Sequence, residues 1–185
     1  MKKLLLVIAI TFLGFVNTNA QSIQFGAKAG LNFASISGDN TDGTDTVTGF
    51  NFGVMSEISI TDKFSFQPEI MFSGQGFGFG KDTDDLMALN YLNVPLIGKY
   101  YVTKGLSLEA GPQIGFLLSA KKGKNDFKDS YKNLDYGVNF GIGYKLDNGL
   151  NFSARYNVGL SNINDVGNIS NKNGAFQFSI GYFFL

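Results

Sequence analysis

The chain has 185 residues, a length that suits a single domain, and its 15 basic groups balance 15 acidic ones. Without Cys it carries no disulfide framework and no lipid anchor at a processed cysteine, and without His it lacks the imidazole that most hydrolytic sites use as a base. The 19 Phe, 8 Tyr and 24 Gly, beside 3 Pro and no Trp, argue against a helical domain, because Gly weakens helices while aromatic rings favour strands. No apolar run beyond the N-terminal segment approaches the length of a transmembrane helix, so any membrane span is expected to be β.

Residues 1–20 read as a signal peptide: basic Met1-Lys2-Lys3, an apolar run from Leu4 to Val16, and Thr18 and Ala20 at the −3 and −1 positions. An uncleaved N-terminal helix is the alternative. Cleavage leaves residues 21–185 as one barrel domain with 13 basic and 15 acidic groups, a net charge of −2. That charge offers no basic footprint for a nucleic acid.

Residues 23–36 alternate, with Ile23, Phe25, Ala27, Ala29, Leu31 and Phe33 in one phase and Gln24, Gly26, Lys28, Gly30 and Asn32 in the other; period two means strand. The pattern returns from Phe50 to Ile60 and from Phe64 to Ser73. It returns again from Tyr91 to Val102, where Ile97 breaks it by falling in the polar phase. Four more strands follow: Leu106–Leu118, Leu134–Leu146, Leu150–Leu160 and Phe176–Phe184. Tight turns around Asp62, Lys104 and Asn148 alternate with longer polar connections at about 37–48, 75–89, 119–133 and 161–174, whose Gly, Asn, Asp and Ser favour turns and solvated loops. Short turns on one side and long loops on the other predict an eight-stranded antiparallel up-and-down barrel with both termini at the short-turn end.

Such a chain can close as a soluble barrel with an apolar interior or as a transmembrane barrel with an apolar exterior. The polar phase decides for the second. It combines Gly, Ser, Asn and Gln with Lys28, Glu57, Glu69, Lys99, Glu109, Asp135, Lys145 and Arg155, four charges of each sign. A solvent face would hold more Lys and Glu and fewer Gly, whereas in a narrow lumen Gly makes room for opposed charges to pair. Phe25, Tyr144, Phe152 and Tyr182 toward the turns, and Phe33, Phe50, Phe116 and Tyr136 toward the loops, are placed to form two interfacial girdles.

The phrases Phe25-Gly26-Ala27-Lys28-Ala29-Gly30-Leu31-Asn32-Phe33-Ala34, Phe66-Gln67-Pro68-Glu69-Ile70, Tyr91-Leu92-Asn93-Val94-Pro95-Leu96, Gly111-Pro112-Gln113-Ile114-Gly115-Phe116-Leu117-Leu118, Phe140-Gly141-Ile142-Gly143-Tyr144 and Ala154-Arg155-Tyr156-Asn157-Val158-Gly159-Leu160 carry a resemblance over nearly the whole mature chain. They resemble the porin-family, PorT-like outer-membrane β-barrel proteins of Bacteroidetes. The resemblance implies a barrel in the outer membrane of a Gram-negative cell; it implies neither a secretion role nor an open pore. Phe176, Phe178, Ile180, Tyr182 and Phe184 likewise resemble the C-terminal signal read by the barrel-assembly machinery, with the departure that Leu185 follows the last aromatic.

The chemistry that remains is sparse. The inward charges are expected to form a structural salt-bridge network, with no catalytic residue, cofactor or metal site. Asp39, Asp42 and Asp45, and Asp82, Asp84 and Asp85, offer oxygen ligands to divalent cations but match no calcium-loop spacing, so solvated acidic loops are expected. Lys121, Lys122, Lys124, Lys128 and Lys132 make the third loop basic and fit to meet anionic headgroups or a partner. The leading expectation is a non-enzymatic, side-chain-filled, monomeric barrel among outer-membrane lipid and lipopolysaccharide, with a structural or surface-interaction role and an unidentified extracellular partner. A narrow channel for water, ions or small solutes is the alternative, and a soluble periplasmic carrier the third reading.

Overall fold

The computed structural model describes residues 22–79, 86–167 and 169–184; the signal-peptide reading and Asp82, Asp84 and Asp85 lie outside the described residues. Nine strands follow in chain order: β1 (Ile23–Gly38), β2 (Thr44–Ser59), β3 (Phe64–Phe79), β4 (Leu86–Tyr101), β5 (Leu106–Lys122), the two-residue β6 (Asn125–Asp126), β7 (Leu134–Lys145), β8 (Leu150–Gly159) and β9 (Asn171–Phe183). All pairings are antiparallel between neighbours, and β9 returns to β1, with Gly26 opposite Phe183 and Gly38 opposite Asn171. Apart from β6, which turns back to pair with Lys121 and Lys122 at the end of β5, eight strands therefore close into an up-and-down barrel. Closure leaves no strand edge unpaired, which is the condition for a sheet to sit in lipid.

Alternation sends one phase outward and the other into the lumen. Phe50 is 69% exposed and Phe25, Phe140 and Ile180 are more than half exposed or close to it, whereas Lys99 is 0% and Glu57 1% exposed. All eight aromatic residues assigned to the girdles point outward. Ile97, the exception in the fourth alternation, is buried on the inward phase, as are Met55 and Met71.

Three of the expected loops are shorter than the composition suggested. β1 runs to Gly38 and β2 starts at Thr44, so the first connection is residues 39–43; β3 and β4 pair as far as Gly78 opposite Leu86; β5 continues to Lys122. Five strands of 16 or 17 residues exceed the about 9–11 that a tilted span requires, and their upper ends form a β-wall beyond the apolar belt. There the inner face of β3, β4 and β5 carries Phe77, Met87, Leu89 and Leu117, and the backbone ladder runs on through Thr44, Asp45 and Thr46, where the hydrophobic alternation is lost.

The connection from β8 to β9 folds over the open end as a lid. Ile163 N–H donates to Asn171 O at 2.8 Å, Lys132 N–H to Ile163 O at 2.8 Å and Asp165 N–H to Ser130 O at 3.0 Å, while Tyr131 and Asn164 form an isolated bridge. This lid drives Ile163 into the mouth, where it is 1% exposed against Leu89, Tyr91 and Leu117.

Candidate functional site in the barrel lumen

Three layers fill the lumen from the loop end to the turn end. The first is apolar: Phe77, Met87, Leu89, Tyr91 and Leu117 surround Ile163. The second is built of amides and hydroxyls. Asn51 donates to Asn32 at 2.7 Å, Asn32 to Ser73 at 2.9 Å, Ser179 to Asn51 at 2.9 Å and Asn139 to Gln113 at 3.2 Å. The cavity left at this level, beside Lys28, Asn93 and Gln113, is about 10 Å³, the space of one water molecule at most.

The third layer is ionic, and it joins seven of the eight charges expected in the lumen. Arg155 on β8 reaches Glu69 on β3 at 2.8 Å and Glu109 on β5 at 2.6 Å. Lys28 on β1 meets Glu69 at 2.6 Å; Lys99 on β4 meets Glu57 at 3.2 Å and Glu109 at 3.6 Å; Lys145 on β7 meets Glu57 at 2.9 Å. In the closed order β3 stands opposite β8, and β2 opposite β7. The Arg155–Glu69 and Lys145–Glu57 pairs therefore cross the whole lumen. An isolated charge here would be prohibitive, so all seven are paired, Lys28 through Glu69 alone and the other six through two or more partners.

Asp135 is the exception. It faces inward but sits at the start of β7, opposite Gly115, and accepts from Ser161 and from Asn173, whose amide also donates to Tyr91. The expected balance of four against four thus becomes four cations against three carboxylates within the connected network. Two members that periodicity placed in the polar phase, without a role, complete it. Tyr101 O–H donates to Glu57 at 2.6 Å, and Gln67 donates to Glu69 at 2.7 Å while accepting from Lys99 at 3.1 Å. Their signal was positional: Tyr101 is two residues from Lys99, and Gln67 two from Glu69, so each shares its neighbour's inward face.

Glycines on β7 make room for this layer. Glu109, Gly141 and Arg155 lie in one register row across β5, β7 and β8, so the ion pair bridges directly over Gly141. A Cβ at Gly143 would lie 2.2 Å from Glu109 Oε1, and one at Gly141 2.7 Å from Arg155 Cγ.

Toward the turns the lumen opens into a vestibule of about 800 Å³, with Glu57, Tyr101 and Lys145 at its inner end and Lys63 and Lys104 near its rim. Among the described residues no three His, Cys, Asp or Glu converge as a metal site. Asp39 instead accepts from Ser170 N–H at 3.0 Å, tying the first connection to the lid. The C-terminal aromatic series Phe176, Phe178, Ile180, Tyr182 and Phe184 faces outward, and Phe184 N–H donates to Phe25 O at 2.9 Å where β9 closes on β1.

A closed sheet with an apolar exterior and a lumen of paired charges is the inverse of a soluble carrier and defines an integral membrane β-barrel. Its family follows from the sequence. Residues 19–165 match the family described as outer membrane protein beta-barrel domain, and the chain belongs to that family, whose place is the outer membrane. No curated protein matches the sequence. Among solved structures, neisserial surface protein A superposes with a TM-score of 0.60 at 16% identity, over 88% of this chain and 99% of that one. Ail, the attachment invasion locus protein of Yersinia pestis, does so with a TM-score of 0.54 at 15% identity, over 87% and 98%. At these identities the likeness establishes the shared barrel fold.

Proposed function

We propose that the protein is a closed, non-enzymatic barrel that holds a folded rim at the cell surface, where its interactions take place. The filled lumen carries this reading: an apolar plug, an amide layer and a cross-braced ionic layer lie in series between the two ends. The absence of His from the sequence supports a non-enzymatic role. The tight turns gather at one end with the start of β1 and the finish of β9, which supports periplasmic termini and extracellular loops. Export through a cleaved signal peptide, insertion by the barrel-assembly machinery reading Phe176 to Phe184, and a monomeric life among phospholipid and lipopolysaccharide belong to the same proposal. So does the PorT-like subtype.

Planar-bilayer recording tests it, with silence expected from the folded barrel. A second reading, a narrow channel, is favoured by the vestibule, which opens the turn end of the lumen as far as the ionic layer at Glu57 and Lys145. Reproducible unitary conductance that changes on Arg155→Ala or Glu109→Ala would establish that second reading and overturn the first.

A further inference from the structure

On the outer wall at the loop end, between β7 and the lid, lies an open cleft of about 420 Å³. Leu134 and Tyr136, the uppermost outward residues of β7, form its floor and continue the apolar belt. Lys132, Ser161, Asn162 and Asp165 form its walls.

The frame is fixed by hydrogen bonds that leave the chemistry free. Ser161 Oγ accepts from Tyr136 N–H at 2.8 Å and donates to Asp135. Asn162 accepts from the N–H groups of Asn164 at 3.1 Å and Asn171 at 3.0 Å and donates to Ile169 O at 3.1 Å, so its amide is spent on the lid. The backbones of Lys132 and Asp165 are held by Ile163 and Ser130. Yet the Lys132 ammonium, the Asp165 carboxylate and the Tyr136 hydroxyl have no partner among the described residues.

These free groups narrow the ligand. The Lys132 ammonium suits a phosphate. The carboxylate would repel a bare anion at that spot, but it accepts from sugar hydroxyls or amide N–H groups. The apolar floor, open to the hydrocarbon, suits an acyl chain. A phosphatidylglycerol or phosphatidylethanolamine headgroup lacks the hydroxyl-bearing ring, and a soluble glycan lacks the acyl chain. We propose that this cleft binds the phosphorylated, acylated sugar headgroup of a glycolipid in the outer leaflet. The inference rests on the orientation given under Proposed function, with the loops outermost.

The test is native mass spectrometry of the full folded barrel in detergent, with lipid A and phosphatidylglycerol as competing probes. Wild-type protein retains lipid A in preference to phosphatidylglycerol. Lys132→Glu and Asp165→Ala each weaken retention about tenfold, the effect of losing one charge-assisted contact. Lys124→Glu, in the same basic loop but outside the cleft, binds as wild type, and heat-modifiable gel migration verifies that each variant is folded. Equal retention of phosphatidylglycerol, unchanged binding by both cleft variants, or preferential binding of a soluble sulfated oligosaccharide would overturn the proposal. Detergent binding is independent of orientation, so the two readings fail separately. Labelling of Lys124→Cys on intact cells is expected; labelling only after permeabilisation would overturn the orientation, and with it the outer-leaflet source, even if lipid A bound.

Discussion

Arg155 on β8 spans the lumen to Glu69 on β3, Nη1 to Oε1 at 2.8 Å, joining strands on opposite walls of the barrel. The pair is a cross-brace, and its Arg end also holds Glu109 while its Glu end also holds Lys28. Removal of any one group is therefore felt by walls that do not touch one another through backbone hydrogen bonds. The brace also occupies the path that ions would need, so stability and closure depend on the same residues.

Glu69 and Lys28 are not equivalent within this brace. Glu69→Ala strands Lys28, whose one ion-pair partner it is among the described residues, and halves the carboxylates on Arg155. Lys28→Met leaves Glu69 still paired with Arg155 and hydrogen-bonded by Gln67. Loss of one partner from a buried pair costs about 3–5 kcal/mol, so Glu69→Ala should reach that range and Lys28→Met fall below it. Urea unfolding of the barrel in detergent, followed by gel migration, gives the two midpoints. A larger loss for Lys28→Met would contradict the geometry.

Gly143→Val tests whether the inward glycines are spacers. A Cβ there would lie 2.2 Å from Glu109 Oε1 and 2.9 Å from Ser107 Oγ. Glu109 cannot swing aside without leaving Arg155, which it meets at 2.6 Å. Overpacking of this kind costs about 1–3 kcal/mol. Unfolding midpoints of Gly143→Val and of Gly143→Val with Glu109→Ser check the cause: the added Ser should recover less than expected for simple relief of a clash, because it also removes one of the two carboxylates on Arg155.

Inside from outside was readable in the sequence, because lipid and lumen impose a strict period of two on every span. Height along the lumen was not. Asp135 shares the inward phase with Gly141, but six residues of strand at about 3.3 Å each separate their levels, and only the register with Gly115 reveals it. Ile97 breaks the pattern because the lumen is not polar throughout: it is 0% exposed on the inward phase, opposite Gln67. The upper β-wall leaves no mark in the sequence for a different reason. Residues such as Thr44, Asp45 and Thr46 pair with Phe79, Gly78 and Phe77 through the backbone, and no side-chain alternation marks that pairing. The lid was invisible for a further reason, since one Ile in a polar connection carries no sign that it will be inserted.

Lys104 and Asp147 make the control pair. They meet at 2.7 Å between adjacent turns, but their side chains are 84% and 79% exposed. The hydrogen bond from Lys104 to Asp147, and then the charge of that carboxylate, raise the lysine above its ordinary 10.5. With the folded value raised, any stabilisation is complete below the unfolded value and fades as pH climbs through the folded one, so it can change only in strongly alkaline solution. Solvent and salt screen a pair so exposed. Lys104→Ala should therefore match the wild-type melting temperature from about pH 5 to 9, in contrast to every substitution in the ionic layer.

Ile163→Ala separates the lid from the seal below it. The side chain is 1% exposed in an apolar pocket of Leu89, Tyr91 and Leu117, and truncating such a residue costs about 2–5 kcal/mol of local packing. The backbone bonds of Ile163 to Lys132 and Asn171 remain, but they then hold a lid with no anchor beneath it. Protease cleavage within residues 160–167 should accelerate, while the lipid-embedded part resists as before. Bilayer recordings of the same variant should stay silent, because Arg155, Glu69 and Glu109 still block the lumen farther in. Current through Ile163→Ala alone would mean that the lid is the gate, and that the ionic layer beneath it is permeable.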